Sequence, residues 1–283
     1  MVTIVEVGPR DGLQSLDHFV TTPRKVELVE RLIAAGVREL EVTSFAHPKV
    51  VPHLADAADL LAALPRPDGV RYRALVPNFE GAVRAVAAGV DLVVALVSAS
   101  AEYSARNQHM TINEMLAQLE RISAVAHEAG IGWAAGISMA FGSPYEGAIE
   151  PAEVFRLIAR CVELEPEHVY VADTIGRAEP EVVGALCAAT RVRWPELPLA
   201  VHLHGSGERG LECAIAAVRA GAVQVETSIR GLGGPIVRSP GTEPVGNLAT
   251  EAVVARFAQL GIETGLDPAA VQAAADDVAA LLR

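Results

Sequence analysis

The chain has 283 residues, of which 51% are hydrophobic, and its formal net charge at pH 7 is -12. An acidic chain without a cluster of Lys and Arg is poorly suited to a phosphate backbone, which argues against a nucleic acid partner. No run of about 18 uncharged apolar residues occurs, which argues against a membrane span. No charged and then apolar leader pattern follows Met1, so we expect a cytoplasmic globular protein.

Short β-branched runs alternate with helical patterns along the chain. In chain order, the predicted strands are 3–8, 39–43, 71–76, 91–97, 131–138, 168–172, 199–204 and 222–227. The helical patterns that follow them lie at 23–35, 54–64, 79–88, 112–129, 151–164, 180–193, 210–220 and 248–260. Eight such β/α units predict a (β/α)8 TIM barrel, in which functional groups collect after the carboxyl ends of the strands.

An open, doubly wound sheet is the rival architecture for this alternation. If it bound a dinucleotide, a glycine-rich fingerprint would follow the first strand, and the sequence GPRDGL at 8–13 does not match one. The segment 268–281 is amphipathic and predicts an extra C-terminal helix, which caps the barrel or packs on a partner subunit. We therefore expect a single TIM-barrel catalytic domain over 1–283, with a helical cap at about 266–283.

The three cysteines are Cys161, Cys187 and Cys213, widely spaced and each within an apolar helical pattern. An odd number at such spacing fits small buried thiols better than disulfides or a cysteine-rich zinc site. The compartment is therefore expected to be reducing.

The segment VHLH at 201–204 carries the sharpest chemical signal in the sequence. Residues two apart on a strand point to the same face, so His202 and His204 could bind one metal ion, although such a pair also suits a structural or exposed position. Asp11 and Asn247 lie next to other strand ends and would add oxygen ligands. Two nitrogens with carboxylate and amide oxygens suit labile Mg²⁺ or Mn²⁺ better than a closed structural zinc site.

Three further polar residues interrupt the apolar pattern at strand ends. Arg10 precedes Asp11, so the two could form a surface ion pair. Glu41 and Asp173 could be barrel-layer residues with satisfied hydrogen bonds. Because buried carboxylates are costly unless paired, several in one barrel mouth favour a shared cation or a neighbouring Arg.

A long loop is predicted at 231–247, where GLGGPIVRSPGTEPVGN is too rich in glycine and proline for a helix or a strand interior. A loop of this length in a compact domain is usually a lid, a binding loop or a disordered piece. These residues alone leave open what the loop covers.

Seven motifs follow the order of a known family over nearly the whole chain. They are VEVGPRDGLQ at 5–14, EVTSF at 41–45, PYEG at 144–147, DTIG at 173–176, HLH at 202–204, GLGG at 231–234 and GNLATE at 246–251. By these motifs the chain resembles the DRE-TIM metallolyases, specifically the 3-hydroxy-3-methylglutaryl-CoA lyase branch. Several motifs in register are far more specific than any one of them.

The resemblance implies a divalent cation, Mg²⁺ or Mn²⁺, held by Asp11, His202, His204 and Asn247. Arg10 would stabilise developing enolate charge, and Glu41 would support the site; both are predicted catalytic residues, as is Asp11. The implied reaction cleaves a carbon-carbon bond beside a tertiary alcohol, whose pKa the metal lowers so that a base can remove the proton. The predicted substrate-binding residues are Gln14, Ser44, Ser138, Asp173 and Thr174.

The loop departs from the family pattern at the position of its usual acid or base. The lyases normally carry a cysteine after the two-glycine step, whereas Pro235 follows Gly234 here. The loop also looks a few residues longer than in the family. We therefore expect Glu243, Ser239 or a bound water to supply the proton, with Glu243 as the predicted catalytic residue.

Two smaller departures concern the substrate. SLD at 15–17 stands where the lyases usually read Asn-Glu-Lys, and the loss of a Lys should weaken attraction for a CoA phosphate. Gly205 stands where an acidic residue usually follows the second histidine.

The leading interpretation is a metal-dependent carbon-carbon lyase of the retro-Claisen or retro-aldol type, which cleaves a branched 3-hydroxy acid or its CoA thioester through an enolate. One alternative is a Claisen-type synthase related to the alkylmalate synthases, which usually carry additional C-terminal regions. Another is a non-catalytic barrel that binds metal or ligand, against which the convergent polar residues argue. The expected partner is a small-molecule hydroxy acid or acyl-CoA substrate, and a homodimer is a family-level expectation.

Overall fold

Eight parallel strands close into a barrel in chain order, with the first strand paired to the last, in a computed structural model that describes residues 1–205, 207–234 and 245–281. The strands are β1 Thr3–Glu6, β2 Glu39–Ser44, β3 Arg71–Leu75, β4 Leu92–Ser98, β5 Gly132–Ser138, β6 His168–Asp173, β7 Leu199–Leu203 and β8 Gln224–Thr227. The predicted TIM barrel is therefore confirmed, and the open sheet is excluded.

Helices cover the outside of the barrel. They are α1 Thr22–Ala34, α2 Ala57–Ala63, α3 Phe79–Ala87, α4 Ala101–Asn107, α5 Ile112–Ala129, α6 Pro151–Val162, α7 Pro180–Arg193, α8 Gly207–Arg219, α9 Thr250–Gln259 and α10 Pro268–Leu281. The ends of α5 follow from local chemistry, because Thr111 and Glu114 form a reciprocal capping box and Gly130 ends the helix at a φ of 67°. Within the described residues, no helix combines the length and apolar character needed to cross a membrane.

Two local elements differ from the sequence-based prediction. The chain after β1 forms a single π-helical turn, Gly8–Gly12, in which the carbonyl of Val7 accepts the N–H groups of Arg10 and Asp11 at 3.0 and 2.7 Å. The short helix α4 is additional, and it begins where the Ser100 hydroxyl accepts the N–H of Tyr103 at 3.0 Å. Both elements contribute side chains to the barrel mouth.

The C-terminal helix α10 packs against α1 and α9. Arg31 forms an ion pair with Asp277 at 2.6 Å, and Arg24 donates to the carbonyl of Leu281 at 2.5 Å. The extra helix predicted from the amphipathic pattern is therefore present, and it joins the first and last helices of the ring.

The interior of the barrel mixes small apolar and charged residues. On the outside, apolar side chains of the strands pack beneath the helices. Inside, a small cluster of mostly apolar side chains contains Leu92, Val94, Ala134, Tyr170, Ala172 and Ala200. Arg73, Glu41 and Glu226 are also fully buried. The three cysteines are buried free thiols, as expected.

Candidate active site at the barrel mouth

A cavity opens at the carboxyl ends of the strands and measures about 650 Å³, including the part open to solvent. Its lining comes from the turn after β1, from β3 to β7, from α4 and from the segments that follow these elements. The lining residues are Arg10, Asp11, Gln14, Leu75, Leu96, Tyr103, Asn107, Gln108, Ser138, Tyr170, Ala172, Thr174, His202 and His204. Four of the strand-end residues singled out in the sequence, Arg10, Asp11, His202 and His204, therefore share one cavity.

Asp11, His202 and His204 form a polar cluster in this cavity. Each offers a ligand atom, and the three atoms lie within 4.8 Å of one another. The Nε2 atom of His204 is 3.7 Å from Oδ2 of Asp11. Asn247 joins them because it pairs with His204 in an isolated antiparallel bridge and donates its amide to Oδ2 of Asp11 at 2.6 Å.

The hydrogen bonds of the two histidines define their tautomers. Nδ1 of His202 donates to Oε2 of Glu226 at 2.8 Å, and Nδ1 of His204 donates to the carbonyl of Thr174 at 2.8 Å. In the neutral rings both Nε2 atoms are then acceptors, yet they face each other at 3.0 Å. Two facing lone pairs repel unless a proton or a cation lies beside them, so this geometry fits a metal ion.

The side-chain oxygen of Asn247 supports the same conclusion. Both amide hydrogens are used, since Nδ2 donates to Asp11 and to the carbonyl of Leu232 at 2.8 Å. Oδ1 is buried and has no hydrogen-bond partner among the described residues. The backbone of Gly233, at a φ of 124°, lies so close to Asp11 and Asn247 that a Cβ there would collide with both. An unpaired buried oxygen is costly, and a bound cation would satisfy it.

The charges around the cavity also fit a divalent cation. Two connected groups, Asp11–Arg10–Glu41 and Glu39–Arg73–Glu226, place four carboxylates against two guanidinium groups. All six side chains are buried except that of Glu39, which is 16% exposed. The three buried carboxylates therefore exceed the two guanidinium groups by one negative charge, which is unfavourable unless it is compensated. The partly exposed Glu39 has a further partner in Arg71, at 3.8 Å.

Arg10 lies between two carboxylates, donating from Nε to Glu41 and from Nη1 to Asp11. Both side chains of the Arg10–Asp11 pair are only 6% exposed, so the pair is buried and the surface ion pair considered above is wrong. Burial opposes ionisation of Asp11, but Arg10 and His204 outweigh it and hold its pKa well below the usual range. Burial raises the pKa of Glu41 despite the charge of Arg10.

Three of the five predicted substrate-binding residues line the cavity. Gln14 donates to Oδ1 of Asp11 at 2.6 Å, and the Thr174 hydroxyl accepts the N–H of Met139 at 2.9 Å. The third is Ser138, at the end of β5.

Ser44 and Asp173 lie elsewhere. Ser44 lines a separate cavity beside α2 and α3, and its hydroxyl accepts the N–H of Ala46 at 3.2 Å. The carboxylate of Asp173 accepts the N–H groups of Arg177 and Ala178 at 3.2 and 2.8 Å, and so shapes the loop after β6. Glu243, Ser239 and Pro235 lie outside the described residues.

Several cavity residues were missed from the sequence. Tyr103, Asn107 and Gln108 escaped because α4 was not predicted. Tyr170 escaped because it was counted only as part of a strand. Glu226, which lies outside the cavity lining but contacts His202, escaped for the same reason. A signal was available for Glu226, since a carboxylate inside a predicted barrel strand had already singled out Glu41.

A parallel (β/α)8 barrel with imidazoles, carboxylates and an amide converging at its carboxyl end defines the class of TIM-barrel proteins with a candidate metal centre at the mouth. The sequence model of the HMGL-like family matches residues 1–278, and the chain belongs to that family.

Known relatives agree with the assignment over most of their lengths. The chain is 38% identical to the mitochondrial hydroxymethylglutaryl-CoA lyase of Bos taurus over 267 residues, which is 94% of this chain and 81% of the relative. It is 35% identical to the (R)-citramalyl-CoA lyase of Chloroflexus aurantiacus over 292 residues, covering 99% of this chain and 91% of that one.

A solved structure of a lyase also matches the chain over most of its length. The HMG-CoA lyase of Acinetobacter baumannii, in complex with coenzyme A and 3-methylmalate, superimposes with a TM-score of 0.93 at 31% identity. The match covers 100% of this chain and 91% of that one. The resemblance drawn from the seven motifs is therefore confirmed.

Proposed function

We propose that the chain is a divalent-metal-dependent carbon-carbon lyase that cleaves the CoA thioester of a branched 3-hydroxy acid. The observation that carries the proposal is the pair of Nε2 atoms of His202 and His204, which face each other beside Asp11 and the unpaired oxygen of Asn247. Relatives named as lyases of hydroxymethylglutaryl-CoA and citramalyl-CoA support the reaction and the substrate class.

Asp11, His202, His204 and Asn247 would hold the cation, with Mg²⁺ or Mn²⁺ favoured by the mixture of nitrogen and oxygen donors. When bound, the cation acts as a Lewis acid that lowers the pKa of a substrate hydroxyl. Glu226 and the carbonyl of Thr174 hold the two imidazoles in the tautomer that leaves each Nε2 free to bind the cation.

Arg10 has the role of stabilising the enolate that bond cleavage releases. Its contacts with Glu41 and Asp11 fix the guanidinium plane at the wall of the cavity before the substrate binds. A positive charge fixed in advance lowers the barrier because it needs no reorganisation when negative charge develops. Glu41 acts through Arg10 as its positioning partner.

The enolate still needs a proton, and its donor is either a side chain of the loop or a bound water. Glu243, Ser239 or a bound water remains the prediction, since no cysteine occurs in 231–247. Replacing both Glu243 and Ser239 by Ala distinguishes these cases. Loss of turnover in the double variant, with substrate binding retained, points to a side chain, whereas unchanged turnover leaves only water.

The direct test of function is incubation of the purified protein with hydroxymethylglutaryl-CoA and, separately, citramalyl-CoA, in Mn²⁺ and in chelator. Mass spectrometry would follow acetyl-CoA together with acetoacetate or pyruvate. We expect product that disappears with chelator and in His202→Ala. His127→Ala serves as the matched control, because His127 lies exposed on α5 away from the cavity.

Two outcomes contradict parts of this proposal. Product formation that chelator leaves unchanged would exclude the metal role. No product from either thioester, in a protein that binds Mn²⁺, would exclude both substrates and direct the search to free hydroxy acids.

The remaining expectations stay predictions. The synthase and the non-catalytic barrel are not favoured, because the relatives matched along most of the chain are named as lyases. Cytoplasmic localisation is also a prediction, since the animal relatives are named as mitochondrial. A homodimer remains an expectation that sedimentation of the purified protein would test.

A further inference from the structure

Arg73 is the most unusual residue inside the barrel. It projects from β3, is 1% exposed and lies opposite Glu41 of β2 in the strand register. The interior of a TIM barrel is normally filled by bulky apolar side chains. A guanidinium in that position is costly unless other groups pair with it, so its partners indicate what it does.

Arg73 connects the floor of the barrel with the layer beneath the candidate metal centre. On one side its Nε donates to Glu39 at 2.8 Å, and its Nη2 donates to the side-chain oxygen of Gln224 at 3.0 Å. On the other side its Nη1 lies 3.3 Å from Nε2 of His168 and 3.6 Å from Oε1 of Glu226. Burial and the charge of Arg73 lower the pKa of His168, which is therefore neutral and can accept this contact.

Glu226 lies between Arg73 and the candidate centre, and its two oxygens have different partners. Oε2 accepts Nδ1–H of His202 at 2.8 Å. Oε1 accepts no hydrogen bond from the described residues, and it has the guanidinium of Arg73 as its neighbouring charge. Arg73 is thus the cation that compensates the side of Glu226 turned away from the histidine.

A second buried carboxylate, that of Glu41, lies close enough to Glu226 to be affected by its charge. Burial raises the pKa of Glu41, Arg10 opposes that effect, and the charge of Glu226 raises the pKa further, so the two carboxylates repel each other. Without Arg73, Oε1 of Glu226 would be a buried charge beside a like charge. We expect the carboxylate to turn, which would loosen its bond to His202.

We propose that Arg73 is a positioning residue for the metal centre, and that it acts through Glu226 to fix the ring orientation and tautomer of His202. The inference rests on the proposed function, because it requires His202 to be a metal ligand. Groups that orient a ligating histidine typically change metal affinity by about 10- to 100-fold when they are removed. Direct repulsion between Arg73 and the cation opposes this effect, but it acts across both Glu226 and the imidazole ring.

The test measures Mn²⁺ affinity by calorimetric titration, which needs no turnover. The variants are Arg73→Met, Arg73→Lys, Glu226→Gln and the double variant Arg73→Met/Glu226→Gln. Lys25→Met is the matched control, since Lys25 is an equally buried cation paired with Asp56 on the outside of the barrel. Circular dichroism establishes that each variant is folded.

We expect Arg73→Met to weaken Mn²⁺ binding about tenfold or more and Arg73→Lys to restore part of the loss. The double variant should bind no more weakly than Glu226→Gln alone, because both changes break the same connection. Lys25→Met should lower the melting temperature and leave Mn²⁺ affinity unchanged.

Two results would overturn the inference while leaving the proposed function intact. One is Mn²⁺ affinity in Arg73→Met equal to that of the unaltered chain. The other is a double variant whose loss is the full product of the two single losses. If Arg73→Met does not fold, the Mn²⁺ affinities of Arg73→Lys and Glu226→Gln test the inference instead. Unchanged affinity in both variants would contradict the connection from Arg73 through Glu226 to His202. If the unaltered chain binds no Mn²⁺, the proposed function fails and this inference fails with it.

Discussion

The carboxylate of Glu6 is fully buried at the end of β1 and ties three segments together. It accepts the N–H of Gly8 at 2.7 Å, the N–H of Ile229 at 2.8 Å and the hydroxyl of Thr250 at 2.6 Å. These bonds attach the turn that carries Arg10 and Asp11 to the chain after β8 and to α9. Burial nevertheless raises the pKa of Glu6 to about 7.

The raised pKa of Glu6 predicts that the free energy of unfolding depends on pH. The folded state keeps the proton of Glu6 up to a pKa of about 7, whereas the ordinary value is 4.5. The folded state therefore binds more protons between these values, and the contribution of Glu6 to stability falls as pH rises through that window. Since a tenfold change in an equilibrium is about 1.4 kcal/mol, the fall is on the order of 3 kcal/mol.

Urea unfolding at pH 5 and pH 8 checks this prediction. Glu6→Gln should show a smaller loss of unfolding free energy between the two pH values than the unaltered chain. An identical loss in both proteins would contradict it.

The position of Tyr170 in the cavity lining predicts that its ring limits the size of the substrate. Its ring centre lies 6.1 Å from that of His202, and it fills the barrel directly beneath the cavity. We expect Tyr170→Ser to increase kcat/KM for a hydroxyacyl thioester one methylene longer, relative to the shorter one, about tenfold. Tyr72→Phe is the control, because Tyr72 is buried outside the cavity with its hydroxyl on the carbonyl of Pro65. An unchanged ratio would exclude Tyr170 as the limit.

A site residue could be predicted from the sequence only where a local pattern determines the direction of its side chain. His202 and His204 could be paired because the two-residue repeat of a strand determines their direction. The contact of Glu226 with His202 depends on the register between β7 and β8, and nothing local in the sequence encodes that register. The same is true of Arg73, which looked like an ordinary polar residue in a strand.

Elements whose ends carry local signals were the predictable ones. The capping box and Gly130 bound α5, so its predicted and observed limits agree. The 3₁₀ turn Pro52–Leu54 delays α2 to Ala57, although the apolar pattern had suggested an earlier start. The turn Gly8–Gly12 is held by tertiary bonds through Glu6, so its π-helical form could not be inferred from glycine and proline alone.

At the scale of one strand, Gly136 makes room for Tyr170. A Cβ at Gly136 would collide with the tyrosine ring and with Leu96. We expect Gly136→Ala to destabilise the protein by about 1–3 kcal/mol, because an overpacked core must shift. Gly184→Ala in α7 is the control, since its Cβ would meet Ala216 at an ordinary 3.6 Å. Thermal unfolding of both variants is the measurement, and equal melting temperatures would contradict the packing argument.

For the molecule as a whole, the candidate centre predicts that metal binding and stability are linked. A ligand that binds only the folded state adds about 2.7 kcal/mol at 100 times its Kd. We therefore expect Mn²⁺ to raise the melting temperature of the unaltered chain and of His127→Ala, and chelator to remove the effect. His204→Ala should show no such increase. A Mn²⁺ effect of the same size in His204→Ala would place the binding site elsewhere.

The pairing of β1 with β8 has a consequence for how the protein folds during its synthesis. Asp11 and Asn247, which touch in the folded barrel, are separated by 236 positions in the chain. At roughly 5–20 residues per second, a ribosome needs on the order of tens of seconds to make the second after the first. Throughout that time the edge of β1 that will pair with β8 lacks its partner, although β2 is already available to the other edge. Uptake of metal would then mark the moment at which the ring has closed.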